Sequence, residues 1–116
     1  MHNFRNLNIW SRSLEFSIEI LDMAKSFPSN ERFELTSQIV RSAVSIPSNI
    51  AEGSGRTTNK EFARFLDIAL GSAFELETQL IIASRIDNVS EIEAKNKIEK
   101  LQELQKMIKS FKSSLN

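Results

Sequence analysis

Apolar residues recur at intervals of three and four along most of this chain, and nowhere do they alternate as a half-buried strand would. The first periodic run covers about Asn8 to Ser26 and ends at Phe27-Pro28, because the residue before a proline avoids helical geometry. The second begins near Ser29 or Asn30, either able to cap it, with Glu31 and Glu34 in its first turn, and continues to about Glu52. Gly53 then reads as the left-handed residue that closes the helix. Thr58-Asn59-Lys60-Glu61 and Ser90-Glu91-Ile92-Glu93 are capping boxes that open a third and a fourth run. Short loops join the four. The pattern predicts one all-α domain over residues 1–116, an antiparallel up-down-up-down four-helix bundle.

Pro47 interrupts the second run without changing its phase, since Val40, Ala43, Val44, Pro47, Ile50 and Ala51 stay on one side. A proline inside a helix removes one hydrogen bond and crowds the carbonyl four residues earlier, here that of Ala43. A continuous helix kinked at Pro47 is expected, with Ser45 as an alternative fresh N-cap. Gly53-Ser54-Gly55-Arg56 follows a helix and lacks the Lys-Ser/Thr of a phosphate loop, so it reads as a helix stop and a turn.

The third run has one core face, with Phe62, Phe65, Leu66, Ala69, Leu70, Ala73, Leu76 and Leu80; the fourth offers Ile98, Leu101, Leu104, Ile108, Phe111 and Leu115. The first run carries two apolar stripes. Leu7, Trp10, Leu14, Ile18 and Leu21 form one; Ile9, Phe16, Ile20 and Met23 form the other, with Ser13, Ser17 and Ala24 between them. A bundle helix needs an apolar arc of about 100° or somewhat more, and this one shows about twice that. The surplus predicts self-association, and Ile9, Phe16, Ile20 and Met23 are assigned as the oligomer face. The second run also has a polar stripe, Gln38, Arg41, Ser45, Asn49 and Glu52, and the third has Arg64, Asp67, Gly71, Glu75 and Thr78 along its outward side. Arg41 is the strongest candidate for a bidentate ion pair, with Glu75 or Asp67 as its carboxylate. A glycine inside a helix costs about 1 kcal/mol against alanine, so Gly71 suggests close approach by another backbone.

Composition narrows the chemistry. Lys plus Arg and Asp plus Glu both total 15, and the chain has no cysteine and one histidine, His2, on a terminus expected to fray. Disulfides, Cys-based zinc sites, Ser-His-Asp arrangements and the Glu-x-x-His pairs of di-metal bundles all lack their residues. Glu75 and Glu77 lie about 160° apart around a helix and cannot share a substrate. No enzyme activity, cofactor, metal or small-molecule substrate is expected. The absence of a signal-like or membrane-spanning apolar run predicts a cytoplasmic protein. The fourth run interleaves six lysines with four glutamates, with Lys95–Glu99 and Glu103–Lys106 at helix-stabilising spacings. Lys95, Lys106 and Lys109 are its candidate nucleic-acid contacts.

Three segments, FRNLNIW, FPSNERFELTSQIVRSAVSIPSNIAEGSGR and EFARFLDIALGSAFELETQL, resemble the 23S rRNA intervening-sequence proteins, over about residues 4 to 86. These are short bacterial four-helix-bundle proteins, some encoded within insertions in large-subunit rRNA genes and sometimes labelled ribosomal. A related branch is the accessory variability determinant of diversity-generating retroelements, a pentamer that binds nucleic acid and a reverse transcriptase. The resemblance implies a homopentamer without known enzymatic activity that associates with RNA or a ribonucleoprotein. It also implies signature roles for Gln38, Arg41, Ser45, Pro47, Asn49, Glu52, Gly53, Gly71, Ser72, Glu75 and Glu77. The nucleic-acid-binding branch is strongly basic, whereas this chain is neutral with a pI near 6.6. Weak, salt-sensitive RNA binding, or an adaptor role towards a protein partner, are the two functional expectations.

Overall fold

The computed structural model describes residues 2–28 and 33–115, and the Phe33 backbone belongs to the second of these stretches. Among the described residues there are four α-helices and no strand: α1 (Asn8–Ala24), α2 (Phe33–Ser54), α3 (Asn59–Arg85) and α4 (Glu91–Ser113). A single 3-10 turn, Phe4–Asn6, precedes them. The 27 residues of α3 correspond to about 40 Å of helix, which sets the long dimension of the 44 × 22 × 19 Å molecule.

The helix ends follow local chemistry. Thr58 Oγ1 accepts from the Glu61 amide and Ser90 Oγ from the Glu93 amide, both at 3.1 Å, as the capping boxes predict. Regular helix in α1 stops at Ala24, two residues before the expected Ser26. The chain tightens there through Lys25 N–H to Asp22 O, Ser26 N–H to Met23 O and Phe27 N–H to Ala24 O. The expected caps of α2, Ser29 and Asn30, and Glu31 lie outside the described residues. α3 ends in a Schellman turn: Asp87 has φ 62°, Asn88 N–H donates to Ala83 O, and Asp87 N–H donates to Ser84 O.

Two expectations about termini are overturned. Gly53 does not close α2 in a left-handed conformation; no glycine among the described residues has positive φ, and α2 runs on to Ser54. Its role is packing. A Cβ at Gly53 would lie 2.6 Å from Phe65 Cβ and 2.9 Å from Phe62 Cδ1, so only a hydrogen lets α3 approach this closely. His2 does not hang free either. Its N–H donates to Ser54 O at 2.9 Å, and its ring packs 5.1 Å from Phe62 and 6.1 Å from Phe111.

α2 remains helical through Pro47. Proline has no N–H to give the Ala43 carbonyl its helical bond, and a buried orphan carbonyl is costly. Ser17 supplies the missing donor from α1: its Oγ bonds Ala43 O at 2.6 Å in the interior. The small residues between the two α1 stripes therefore include one with a specific task. Ile20, Ile39, Ile46, Ile50, Phe62, Leu66, Leu76, Leu80, Leu101 and Ile108 fill the core at 2% exposure or less, each helix contributing along one face.

Candidate functional site

Helix α1 decides where the surplus apolar surface lies, and the answer reverses the sequence assignment. Ile9, Phe16, Ile20 and Met23 are 0 to 5% exposed inside the chain's own core, so they are unavailable to a partner. Leu14 and Ile18 of the opposite stripe are 37% and 60% exposed, beside Val44 of α2 at 42%. Both stripes are apolar enough to serve as a core, and contact with α4 as well as α2 selects the first. The outer stripe lines a groove of about 360 Å³ with Trp10, Leu21, Pro47 and Ala51. Its walls are almost wholly apolar.

A second groove, of about 320 Å³, separates α2 from α3 and is polar. Gln38, Arg41 and Ser45 line one side and Ser72 and Glu75 the other, so five of the signature residues meet here. Ser42 and Gln79 complete it. They were missed in the sequence although the spacing signals them: Ser42 is four residues from Gln38, and Gln79 is four from Glu75. Ser45 and Ser72 hydroxyls bond each other at 2.7 Å. Asn49 Nδ2 donates to Ser45 O at 2.8 Å and to Ser45 Oγ at 2.9 Å. Gln79 Oε1 is buried with no partner.

The charged members of this groove are not joined. Arg41 and Glu75 are exposed, and neither forms an ion pair with a described residue, nor with the other. Asp67 is occupied by Lys112 at 2.6 Å. The remaining signature residues lie elsewhere. Glu52 pairs with Arg56 at 2.8 Å, whose guanidinium sits 4.6 Å above the Phe65 ring. Glu77 turns to α4 and accepts from Gln102 at 3.1 Å and Gln105 at 2.9 Å, on the other side of α3 from Glu75. Gly71 is open, for a Cβ there would meet nothing within 4 Å. Among the described residues no element makes the close approach expected at that glycine.

On α4 the charges reach across helices instead of along one. Lys97 and Lys100 both hold Glu19 of α1, at 2.8 and 2.9 Å, and Glu103 takes Arg12 at 2.7 Å. The Lys97 and Lys100 hydrogen bonds, in that order, keep the Glu19 carboxyl below its ordinary value, against a smaller opposing effect of burial. Neither Lys95–Glu99 nor Glu103–Lys106 forms a pair. Among the described residues Lys95, Lys106 and Lys109 have no carboxylate partner; Lys109 lies 5.4 Å above the Phe74 ring, Lys95 borders a cleft between α3 and α4, and Lys106 borders one between α1 and α4. Among the described residues no group of three or more His, Cys, Asp or Glu is placed to hold a metal ion, and no helix is long and apolar enough to cross a membrane.

The fold and its two grooves define an all-helical protein that offers surfaces. Over residues 5–110 the chain matches the model of the 23S rRNA-intervening sequence protein family, and it belongs to that family. A crystal structure of a protein of unknown function from the S23 ribosomal protein family of Bacteroides thetaiotaomicron is similar to it. That similarity has a TM-score of 0.83 at 30% identity, over 91% of this chain and 99% of the other. No curated protein matches.

Proposed function

We propose that this protein is a non-enzymatic, cytoplasmic subunit that assembles with copies of itself and serves a ribonucleoprotein as an accessory factor. The carrying observation is the exposed apolar groove of Trp10, Leu14, Ile18, Leu21 and Val44. Full burial of such a side chain is worth about 1.5–3 kcal/mol, and Leu14, Ile18 and Val44 still have 37 to 60% of their surface to cover, so an assembly covering several on each copy gains enough to hold subunits together. A pentamer is the number that the family resemblance implies.

In this reading each subunit is an antiparallel up-down-up-down bundle, bent at Pro47 where the helical bond to Ala43 is replaced by Ser17. The cross-helix partners support that order. Arg12 and Glu19 of α1 meet Glu103 and Lys97 of α4, Asp67 and Glu77 of α3 meet Lys112 and Gln105, and Ser45 and Gly53 of α2 meet Ser72 and Phe62. In each case one number rises as the other falls. RNA association draws its support from the family, whose members are 23S rRNA-intervening sequence proteins, and from Lys95, Lys106 and Lys109, which no carboxylate among the described residues neutralises and which an assembly repeats on every copy.

Light scattering should give a mass several times 13.2 kDa for the parent and close to one subunit for Ile18→Glu, which places a charge in the groove. A monomeric parent at micromolar concentration overturns the reading. Gel shifts with rRNA should be weak, sequence-tolerant and lost at modest salt, because few phosphates are neutralised per subunit. Binding that persists at high salt contradicts this surface, and a co-purifying protein without any shift points to a protein adaptor.

A further inference from the structure

Exposed apolar residues stand on several faces, with Phe74 and Ile81 on the α4 side of α3 and Ile92 at the start of α4, and two groups of them face away from α4. Leu14, Ile18 and Val44 belong to the α1–α2 groove, and Ile68 and Ile82, at 43% and 44%, to the outward side of α3. Along α3 the residues Ile68, Gly71, Glu75, Thr78 and Ile82 follow one another at alternating steps of three and four. That spacing makes a straight seam of the kind one helix presents to another. Gly71 lies within it and has open space above its Cα, so the seam can be approached more closely there than at any position bearing a side chain.

The charges fit the same arrangement. Arg41 lines the α2–α3 groove and precedes Val44 of the α1–α2 groove by three residues, so it stands on α2 between the two, and among the described residues it has no ionic partner. Glu75, near the middle of the α3 seam, has none either. A contact made by one patch against itself would leave the other uncovered. Docking one patch on the other covers both, and such a heterologous contact builds a ring when its rotation closes and a filament when it does not.

We propose that α3 of one copy lies along the α1–α2 groove of the next, with its Glu75 bonded to the neighbour's Arg41 and Gly71 at the point of closest approach. The lengths agree. Ile68 and Ile82 each stand seven residues from Glu75, about 10 Å of helix, and Ser48 stands seven from Arg41. An isoleucine of the seam therefore falls level with Leu14 and Ser48, which line the groove together. The proposal rests on the assembly reading above and adds which surfaces meet.

Charge reversal tests it. Arg41→Glu and Glu75→Arg each place like charges across every contact and should weaken association at least about tenfold, while both, being exposed, keep the parent's helical content by circular dichroism. An equimolar mixture of the two single variants should regain heavier species by light scattering, because alternation again joins opposite charges at every contact of an even-numbered ring and at four of the five contacts of a pentamer. A pair within one chain would be rescued only by the double reversal and never by mixing. A parent that assembles while both single variants assemble equally well overturns this interface and leaves self-assembly standing; rescue by the double reversal but not by mixing overturns it too. A parent that is monomeric defeats the assembly reading itself.

Discussion

Helices α2 and α4 hold their neighbours by opposite means. α2 does so at short range: Gly53 lets Phe62 and Phe65 of α3 come within what a Cβ would occupy, Ser45 meets Ser72, and the Ala43 carbonyl takes Ser17 of α1. α4 reaches outward with long side chains, so that Lys97, Lys100 and Glu103 tie it to α1 and Lys112 to α3. Short contacts between backbones have no slack, and a single added atom must move a helix. Solvated ion pairs have slack in every rotamer and contribute only about 0–1 kcal/mol each. Stability should therefore be concentrated along α2, while the ties of α4 should be replaceable.

The most damaging test is also the smallest change. Gly53→Ala should gain about 1 kcal/mol from helix propensity yet lose about 3 kcal/mol or more, because Phe65 Cβ cannot move without α3. The net loss of about 2 kcal/mol should lower Tm by about 8 °C. A thermal melt showing equal or higher stability would mean that the α2–α3 contact is looser than its geometry. Next is Ser17→Ala, which strips the buried Ala43 carbonyl of its donor and should cost about 1–2 kcal/mol. In a Pro47→Ala background the helix supplies its own N–H to Ala43, so the same substitution should then cost markedly less. Denaturant melts of the four proteins in that cycle read the coupling directly; additive losses would show that Ser17 has no special relation to Pro47.

The sequence was legible where chemistry is local. Thr58 and Ser90 announce their helices through the residue three positions on, and Phe27-Pro28 announces a stop. It was illegible where two answers share one local signature. Gly53 near a helix end looks like a left-handed terminator, and only the position of Phe65 shows that it is a packing glycine. The two stripes of α1 are both apolar, and which one faces inward depends on where α4 lies. Of the pairs proposed along α4, Glu103 turns to Arg12 of α1, and Lys95, Glu99 and Lys106 form no ion pair among the described residues. In the polar groove, Gln38, Arg41, Ser45, Ser72 and Glu75 were found by periodicity and resemblance, whereas Ser42 and Gln79, at four-residue spacing from Gln38 and Glu75, became visible only once α2 and α3 were seen to meet there. Asp87 in the left-handed Schellman position also escaped notice, since a glycine would be the usual signal.

The smallest expected effect lies on the α4 side and sharpens the contrast. Glu19 is held below its ordinary value first by Lys97 and then by Lys100, so folding favours its charged form. A group whose folded pKa is lowered adds stability that is present above its unfolded value, near 4.5, and is lost as pH falls through the folded one. Glu19→Gln should therefore differ from the parent at neutral pH, converge with it in acid below the folded value, and show no new dependence at alkaline pH. Because 38% of the Glu19 side chain and 49% of the Lys100 side chain remain exposed, solvent screens the pair, and the neutral-pH loss should stay below about 1 kcal/mol and shrink further in salt. Melts of both proteins across that acid range measure it. A loss at neutral pH as large as that of Gly53→Ala would remove the distinction between the two helices, because a solvated tie would then matter as much as a contact with no space for a methyl group.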